Sequence, residues 1–326
     1  MIRFRATIKA WLPSSLLNVL RKAWLPSSLL NVLRVYQART RYLLTLRQFG
    51  DNSLWVDVVA SLRSFFWPRK TILFFPELPP KESVEYKLLL LLGFAITANP
   101  NRRFDVAFKR KDATFFDQSA LEIIPTSRNK IINATSVDIS KQAVGEAFAN
   151  VFGYALEVDP TQYHGQIVEK SNKNATHDGR VIEGPIPQED VRAGCVYQNA
   201  IDNTSDKDGL VIDYRVPIHG DQIPLVYLKY RPTETRFSNK NIFVILEEPS
   251  AMFSTAESDK LLCMARKMGI DYGEFDVLRD KDGRIYVVDV NNTPWGPPNG
   301  LPEFETKIAL KRLVKSFDRL LEKRIS

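Results

Sequence analysis

Two carboxylates and a carboxamide, Asp276, Asp289 and Asn291, lie close together in the segment Asp271–Pro298, DYGEFDVLRDKDGRIYVVDVNNTPWGPP. Hard oxygens of these types suit Mg²⁺, which takes one or two carboxylates and keeps its other positions for water and phosphate. The elements that would position them are two strands. Phe275–Arg279 and Arg284–Val290 have strand composition, and Asp280-Lys281-Asp282-Gly283 between them is hairpin turn chemistry. A four-residue loop pairs Arg279 with Arg284 and sets Asp276 opposite Val287, so Val287, Asp289 and Asn291 share the face of Asp276. Asp276 and Asp289 are then diagonal neighbours, roughly 7–8 Å apart at the backbone. The other face, with Phe275, Val277, Tyr286, Val288 and Val290, is almost wholly apolar and should pack on a core. Two like charges on such a hairpin repel and desolvate badly unless a cation lies between them. The alternative is a surface hairpin whose carboxylates face water, and a register slip of one residue would move the two strands' faces apart.

Around this hairpin the chain reads as an ordinary globular protein. At 326 residues, 44% hydrophobic and 25% charged, it can build a sizeable core in two domains or in one of several lobes. The longest apolar run, Leu88–Ala98, is far short of the ~20 residues of a membrane span. Cys195 and Cys263 are far apart and lack metal-ligand spacing, so a reducing, cytoplasmic compartment is expected.

The net charge of +7 belongs to the N-terminus, because residues 1–50 hold nine Arg/Lys and no acidic residue. Within that arm, residues 9–21 (KAWLPSSLLNVLR) recur unchanged as residues 22–34. Pro13 and Pro26 suit the first turns of two short helices. Even in a continuous helix, a 13-residue offset turns the copies about 140° apart, so a function requiring both is not expected. The arm, 1–69, reads as helical and docking on its own domain or a partner. Peripheral contact with an anionic membrane and an organelle transit peptide are the alternatives. Specific nucleic-acid binding is not expected, since a basic tail alone gives only unspecific phosphate attraction.

Beyond the arm, strand Thr71–Phe75, helix Glu82–Leu92 and strands Phe94–Ala98 and Phe104–Phe108 imply a small α/β unit. An amphipathic helix, Lys141–Phe152, follows with Ser140 as its cap. Strands are expected at Gly153–Val158, Gln166–Lys170, Cys195–Ile201, Leu210–Val216, Leu225–Arg231 and Ile242–Leu246, with another closing the turn of Thr176–Ile182. Helices Ser254–Met268 and Phe304–Lys323 flank the hairpin.

Taken in order, these features resemble the ATP-grasp superfamily over roughly residues 70–318, in its glutathione-synthetase and ribosomal-protein glutamate-ligase flavour. That family's last metal motif is an acidic residue on one strand, then Glu-x-Asn on the next. Asp276, Asp289 and Asn291 match it, with Asp289 where Glu is commoner. Lys141 and Lys170 resemble the family's two nucleotide lysines, and Tyr197–Ile201 its hinge, with Gln198 and Asp202 as side chains near adenine and ribose. Asp213-Tyr214-Arg215-Val216 resembles its Asp-x-Arg-Val strand, and Arg231 and Arg236 the next basic positions of the same lobe. Where many grasp enzymes have a glycine-rich flap, Ser171–Gly179 has one glycine, leaving Ser171, Asn174 or His177 to meet phosphate.

The resemblance implies an α+β fold in which two α+β lobes grip ATP (136–318), preceded by a pre-grasp α/β unit (70–135) and the basic helical arm, with 319–326 a tail. It implies ATP and Mg²⁺ as cofactors, Mn²⁺ being an alternative metal. The activity implied is activation of a small-molecule or peptide carboxylate as acyl phosphate for attack by an amine, or less often a thiol or hydroxyl. Arg215, Arg231 and Arg236 would be its catalytic cations. A small-molecule kinase and a non-catalytic nucleotide-binding protein are the other readings. Asn292–Leu301 is the expected substrate loop, with Trp295 stacking on a ligand or walling the pocket. Oligomeric state and location at the membrane periphery stay open.

Overall fold

A parallel sheet comes first. The computed structural model describes residues 70–326 other than 177, 207, 208 and 239. The arm 1–69, with both copies of its repeat, and His177 lie outside the described residues. β1 (Thr71–Pro76), α1 (Val84–Leu92), β2 (Ala95–Thr97), β3 (Val106–Arg110) and β4 (Ile131–Ile132) form the α/β unit, with strand order β2-β1-β3-β4. Parallel neighbours need a crossover, and α1 supplies the one between β1 and β2. Ser83 Oγ caps it by accepting from Tyr86 N at 3.3 Å, and Gly93, at φ 75°, ends it.

α2 (Lys141–Phe152) spans the residues its periodicity predicts, with Ser140 Oγ accepting from Ala143 N. The expected strand Gly153–Val158 is instead a connection. Gly153 ends α2 in the left-handed region, and the following residues touch the next sheet only through single bonds such as Val158 N to Tyr197 O. β5 (Gly165–Ser171), β6 (Arg180–Gly184) and β7 (Cys195–Asn199) form an antiparallel sheet in the order β6-β5-β7.

The largest sheet is antiparallel, ordered β10-β9-β8-β11-β12, from β8 (Leu210–His219), β9 (Val226–Pro232), β10 (Phe243–Glu247), β11 (Tyr272–Arg279) and β12 (Ile285–Asn291). Its connection includes α3 (Pro249–Met252) and α4 (Thr255–Lys267), the latter opened by a Ser254–Glu257 capping box. α2, α4 and one face of this sheet share a core that includes Phe148, Met264, Phe275, Val277 and Val287. α5 (Glu303–Ile325) closes the chain. The helix expected over Phe304–Lys323 runs on to Ile325, so the span 319–326 set apart as a tail is almost all helix, with Leu320 and Leu321 buried along it. The α+β class expected from the sequence is the observed one. Among the described residues no helix is long and apolar enough to cross a membrane.

The hairpin β11–β12 differs from expectation in register. Asp276 pairs with Asp289, Val277 with Val287, and the shift falls between Asp276 and Val277. Val288 is therefore an extra residue, a bulge of the kind that re-aims side chains. The two aspartates are direct rather than diagonal cross-strand neighbours. Val287 joins the core, against the expectation that it shares the aspartates' face. Val288, expected in the core face, is only partly buried against that core and also lines the site with Asp289.

Candidate functional site

The sheet face away from this core carries the charge. Register aligns Asp289, Asp276 and Arg215 across β12, β11 and β8, and Asp213 with Lys229 across β8 and β9. Arg215 donates to Asp276 through Nε at 3.2 Å and Nη2 at 3.4 Å, and Lys229 Nζ donates to Asp276 Oδ1 at 2.8 Å. Burial opposes the Asp276 charge, but Arg215 and Lys229 outweigh it and hold the carboxyl well below its usual range. Burial also opposes the Arg215 charge, and Asp276 and Glu274 more than offset it, raising its pKa. Burial and the Arg215 charge bring Lys229 down to about 8 against the pull of Asp276.

The bulge makes a second contact possible. Val288 has no ladder partner in β11, and its carbonyl accepts from Lys170 Nζ at 3.1 Å. Burial, reinforced by the Lys141 charge, pushes Lys170 down to about 8. Lys141, at the start of α2, donates to Asp289 Oδ1 at 2.9 Å and to Asn174 Oδ1 at 3.4 Å.

Two hollows meet at this wall. The smaller, a slot of about 150 Å³, has Leu156, Val168, Ile201, Leu278 and Val288 as apolar walls, with Lys141, Lys170, Gln198, Arg231 and Arg236 among its polar lining. The larger, a cleft of about 910 Å³, is lined by Arg215, Lys229, Glu274, Asn291, Trp295 and the ends of the α/β unit at Lys81, Glu82 and Asp112. Asp276 and Asp289 line both.

The remaining expected residues fall as follows. Gln198 is buried and donates to Glu157 Oε1 at 3.1 Å. Gly145 makes room for that carboxylate, since a Cβ there would come within 1.6 Å of Glu157 Oε1. Asp202 is exposed and off the slot's lining; its carboxylate closes a turn on Thr204 N and Oγ1. Arg231 is ion-paired to Asp213 at 2.8 Å, and Arg236 donates to Ile201 O and Asn203 Oδ1. Asn291 Oδ1 already accepts from Thr293 N at 2.8 Å and Thr293 Oγ1 at 3.3 Å.

Lys229 and Glu274 were not singled out from the sequence, yet both sit in the site. Strand parity is the signal that could have found them: Lys229 is two residues from Arg231, and Glu274 two from Asp276. Glu274 is 4% exposed and pairs in register with Asn291. Burial pushes its carboxyl up to about 7, with Arg215 opposing and the Asp276 charge reinforcing. The single glycine of the Ser171–Gly179 loop also has a reason, because a Cβ on Gly179 would meet the Phe237 ring at 2.7 Å. That loop is pinned: Lys141 N and Gln142 N donate to Asn172 O and Oδ1, and Asn174 N donates to Thr114 Oγ1. The segment Asn292–Leu301 is likewise tied, with Val84 N donating to Pro294 O and Lys87 Nζ to Gly296 O at 2.5 Å.

These residues fit a magnesium nucleotide in part. Apolar walls ending at two lysine ammoniums suit a flat base followed by phosphates. Two directly paired carboxylates suit a divalent cation that completes its shell with phosphate and water. Among the described residues no third acidic, His or Cys group joins them in a metal-sized cluster. Asn291, its oxygen engaged by Thr293, fits less well than the aspartates.

No protein-family model matches the chain, and no curated protein does. Several solved structures are similar to it. The ATP-grasp ligase PsnB with its minimal precursor shares 12% identity over 77% of this chain and 97% of that one, at a TM-score of 0.47. PsnB with a phosphomimetic precursor variant, Mg and ADP shares 16% identity over 60% of this chain, spanning 66% of that one, at a TM-score of 0.36. A RimK-domain ATP-grasp protein from Sphaerobacter thermophilus shares 12% identity over 78% and 99%, at a TM-score of 0.45.

Proposed function

We propose that the chain is a Mg²⁺-ATP-dependent ligase of the ATP-grasp type that activates a carboxylate for capture by an amine. The observation that carries this reading is Lys170, a half-buried, desolvated ammonium whose hydrogen bond goes to a neutral carbonyl, beside the directly paired Asp276 and Asp289. A desolvated cation favours an anion at its tip. When bound, Mg²⁺-ATP would supply its γ-phosphoryl to a carboxylate oxygen, making an acyl phosphate whose C–O bond breaks as the amine nitrogen forms the C–N bond.

The remaining tasks belong to the chain. Lys170 and Lys141 would hold phosphate oxygens, and Asp276 and Asp289 would hold the metal. The Arg215 fork, now spent on Asp276, is placed to share itself with the carboxylate being activated, a planar match that lysine lacks. Leu156, Val168 and Ile201 exclude water from the slot. Substrate, a small molecule or a peptide segment, lies in the cleft against Trp295. Positioning and preorganised charge suffice for this chemistry, so no nucleophilic side chain is required.

The test has two stages. Mg²⁺ with a non-hydrolysable ATP analogue should raise the melting temperature of the wild type. ADP release is then screened over paired carboxylates and amines. In the productive pair, ¹⁸O from the carboxylate should appear in released phosphate; label-free phosphate retained on the product would mark a kinase instead. Asp289→Ala should lower turnover by about 100-fold or more, and full activity in that variant would sink the metal assignment.

A further inference from the structure

The proposed reaction uses an amine, where the resemblance also allowed a thiol or hydroxyl, and one side chain of the cleft bears on that choice. Glu274 is 4% exposed, yet its Oε2 has no hydrogen-bond donor. Its nearest cation, Arg215 Nε, is 3.5 Å away and donates to Asp276 Oδ1 at 3.2 Å. Lys229, which could serve it, donates to Asp276 as well. Glu274 therefore presents a buried oxygen acceptor to the cleft while both local cations are committed to its neighbour. Such a group costs free energy until a donor reaches it, and a carboxylate is best served by a cationic one.

Its place on the sheet points the same way. Glu274 pairs with Asn291 and lies two residues before Asp276, on the same face of β11. It is thus one side-chain step along the strand from the shared wall, on the cleft side and away from the slot. A group bound there would stand beside a carboxylate activated at Arg215 without entering the nucleotide slot. Asp112 and Glu82 line the same cleft, so the approach is not purely cationic.

We propose that Glu274 is the binding residue for the acceptor's primary ammonium, which makes the acceptor an amine rather than a thiol or an alcohol. This rests on the ligase reading for what the amine does next, but the binding itself can be measured without turnover. Three ammonium N–H donors can meet the free Glu274 oxygen and the polar groups around it, whereas a hydroxyl brings one and leaves the charge unmatched.

Saturation-transfer NMR on the full chain, with Mg²⁺ and a non-hydrolysable ATP analogue present, tests this with three small probes. Glycinamide carries the ammonium, glycolamide replaces it with a hydroxyl, and N-acetylglycinamide removes its charge. Glycinamide should bind the wild type, and the other two at least tenfold more weakly. Glu274→Gln, close in shape, should weaken glycinamide at least tenfold while keeping the melting-temperature rise with the nucleotide analogue. Glu274→Asp should retain part of the preference for glycinamide. No glycinamide signal in the wild type, equal binding of glycolamide, or undiminished glycinamide binding to Glu274→Gln would each overturn the assignment. Failure of the nucleotide analogue to bind the wild type would instead count against the ligase reading, with the glycinamide comparison still decided on its own.

Discussion

The slot and the cleft share the Asp276–Asp289 wall, but each leaves a different kind of group short of partners. In the slot it is a cation: Lys170 is desolvated and bonded to the Val288 carbonyl. In the cleft it is an acceptor: Glu274 Oε2 is buried without a hydrogen-bond donor, with Arg215 Nε 3.5 Å away. Between them, Asp276 takes up both Arg215 and Lys229, so the wall itself is satisfied. A structural charge network tends to close on itself, because an uncompensated buried charge is expensive. The two groups left over, a donor and an acceptor on opposite sides of the wall, mark where ligands of complementary chemistry would complete the site.

Breaking the wall should have the largest effect. Asp276→Ala leaves Arg215 and Lys229 buried without their shared carboxylate, and should cost about 3 kcal/mol in chemical denaturation along with the nucleotide-dependent rise in melting temperature. If stability is unchanged, the wall is not the element that joins the two hollows. Lys170→Met tests the slot alone. It should weaken the nucleotide analogue about 10- to 100-fold by calorimetry, the range of one charge-assisted hydrogen bond, and leave glycinamide binding in place. Loss of both ligands together would mean the hollows are not separable.

A smaller effect should arise further along the same sheet face, apart from both hollows. His219 in β8 is stacked on Tyr272 with ring centroids 5.0 Å apart, and its Nδ1 lies 2.6 Å from Ser316 Oγ. Burial pushes its pKa from 6.5 down to about 3. Between those values the unfolded chain binds a proton that the folded chain refuses. Stability contributed by the neutral ring is therefore present above 6.5 and lost as pH falls toward 3. From neutral pH to 5.5 the loss should be roughly 1 kcal/mol, and His219→Phe should flatten that slope in pH-dependent thermal melts. A slope that persists in the variant would assign the acid sensitivity to the charged wall instead.

Much of the scaffold was legible because it is written in local patterns. Ser140, the spacing of Val144, Ala147 and Phe148, and Gly153 fix both ends of α2 without tertiary information. The Asp280–Gly283 turn and the alternation around it announce the hairpin. The bulge left no such mark, since Val287 and Val288 are chemically alike and only packing decides which one faces the core. That single ambiguity misplaced Val287 and put the aspartates diagonal. Lys229 and Glu274 were readable by parity but look like ordinary surface residues in a list of charges. Asp202 failed for the opposite reason: its position near the hinge suggested ribose, while its side chain is used by its own turn.

The bulge at Val288 has a consequence for how this hairpin can change over generations. Substituting Val288 by another apolar residue leaves the count of β12 intact, and so keeps the backbone carbonyl that meets Lys170. Removing one codon there would make the ladder regular, with Asp276 still opposite Asp289, and would take away the unpaired carbonyl that meets Lys170. Lengthening the Asp280–Gly283 turn, by contrast, adds chain only at the far end of the ladder. The site is therefore tolerant of spelling but not of length. Length variation in this hairpin should be confined to its tip.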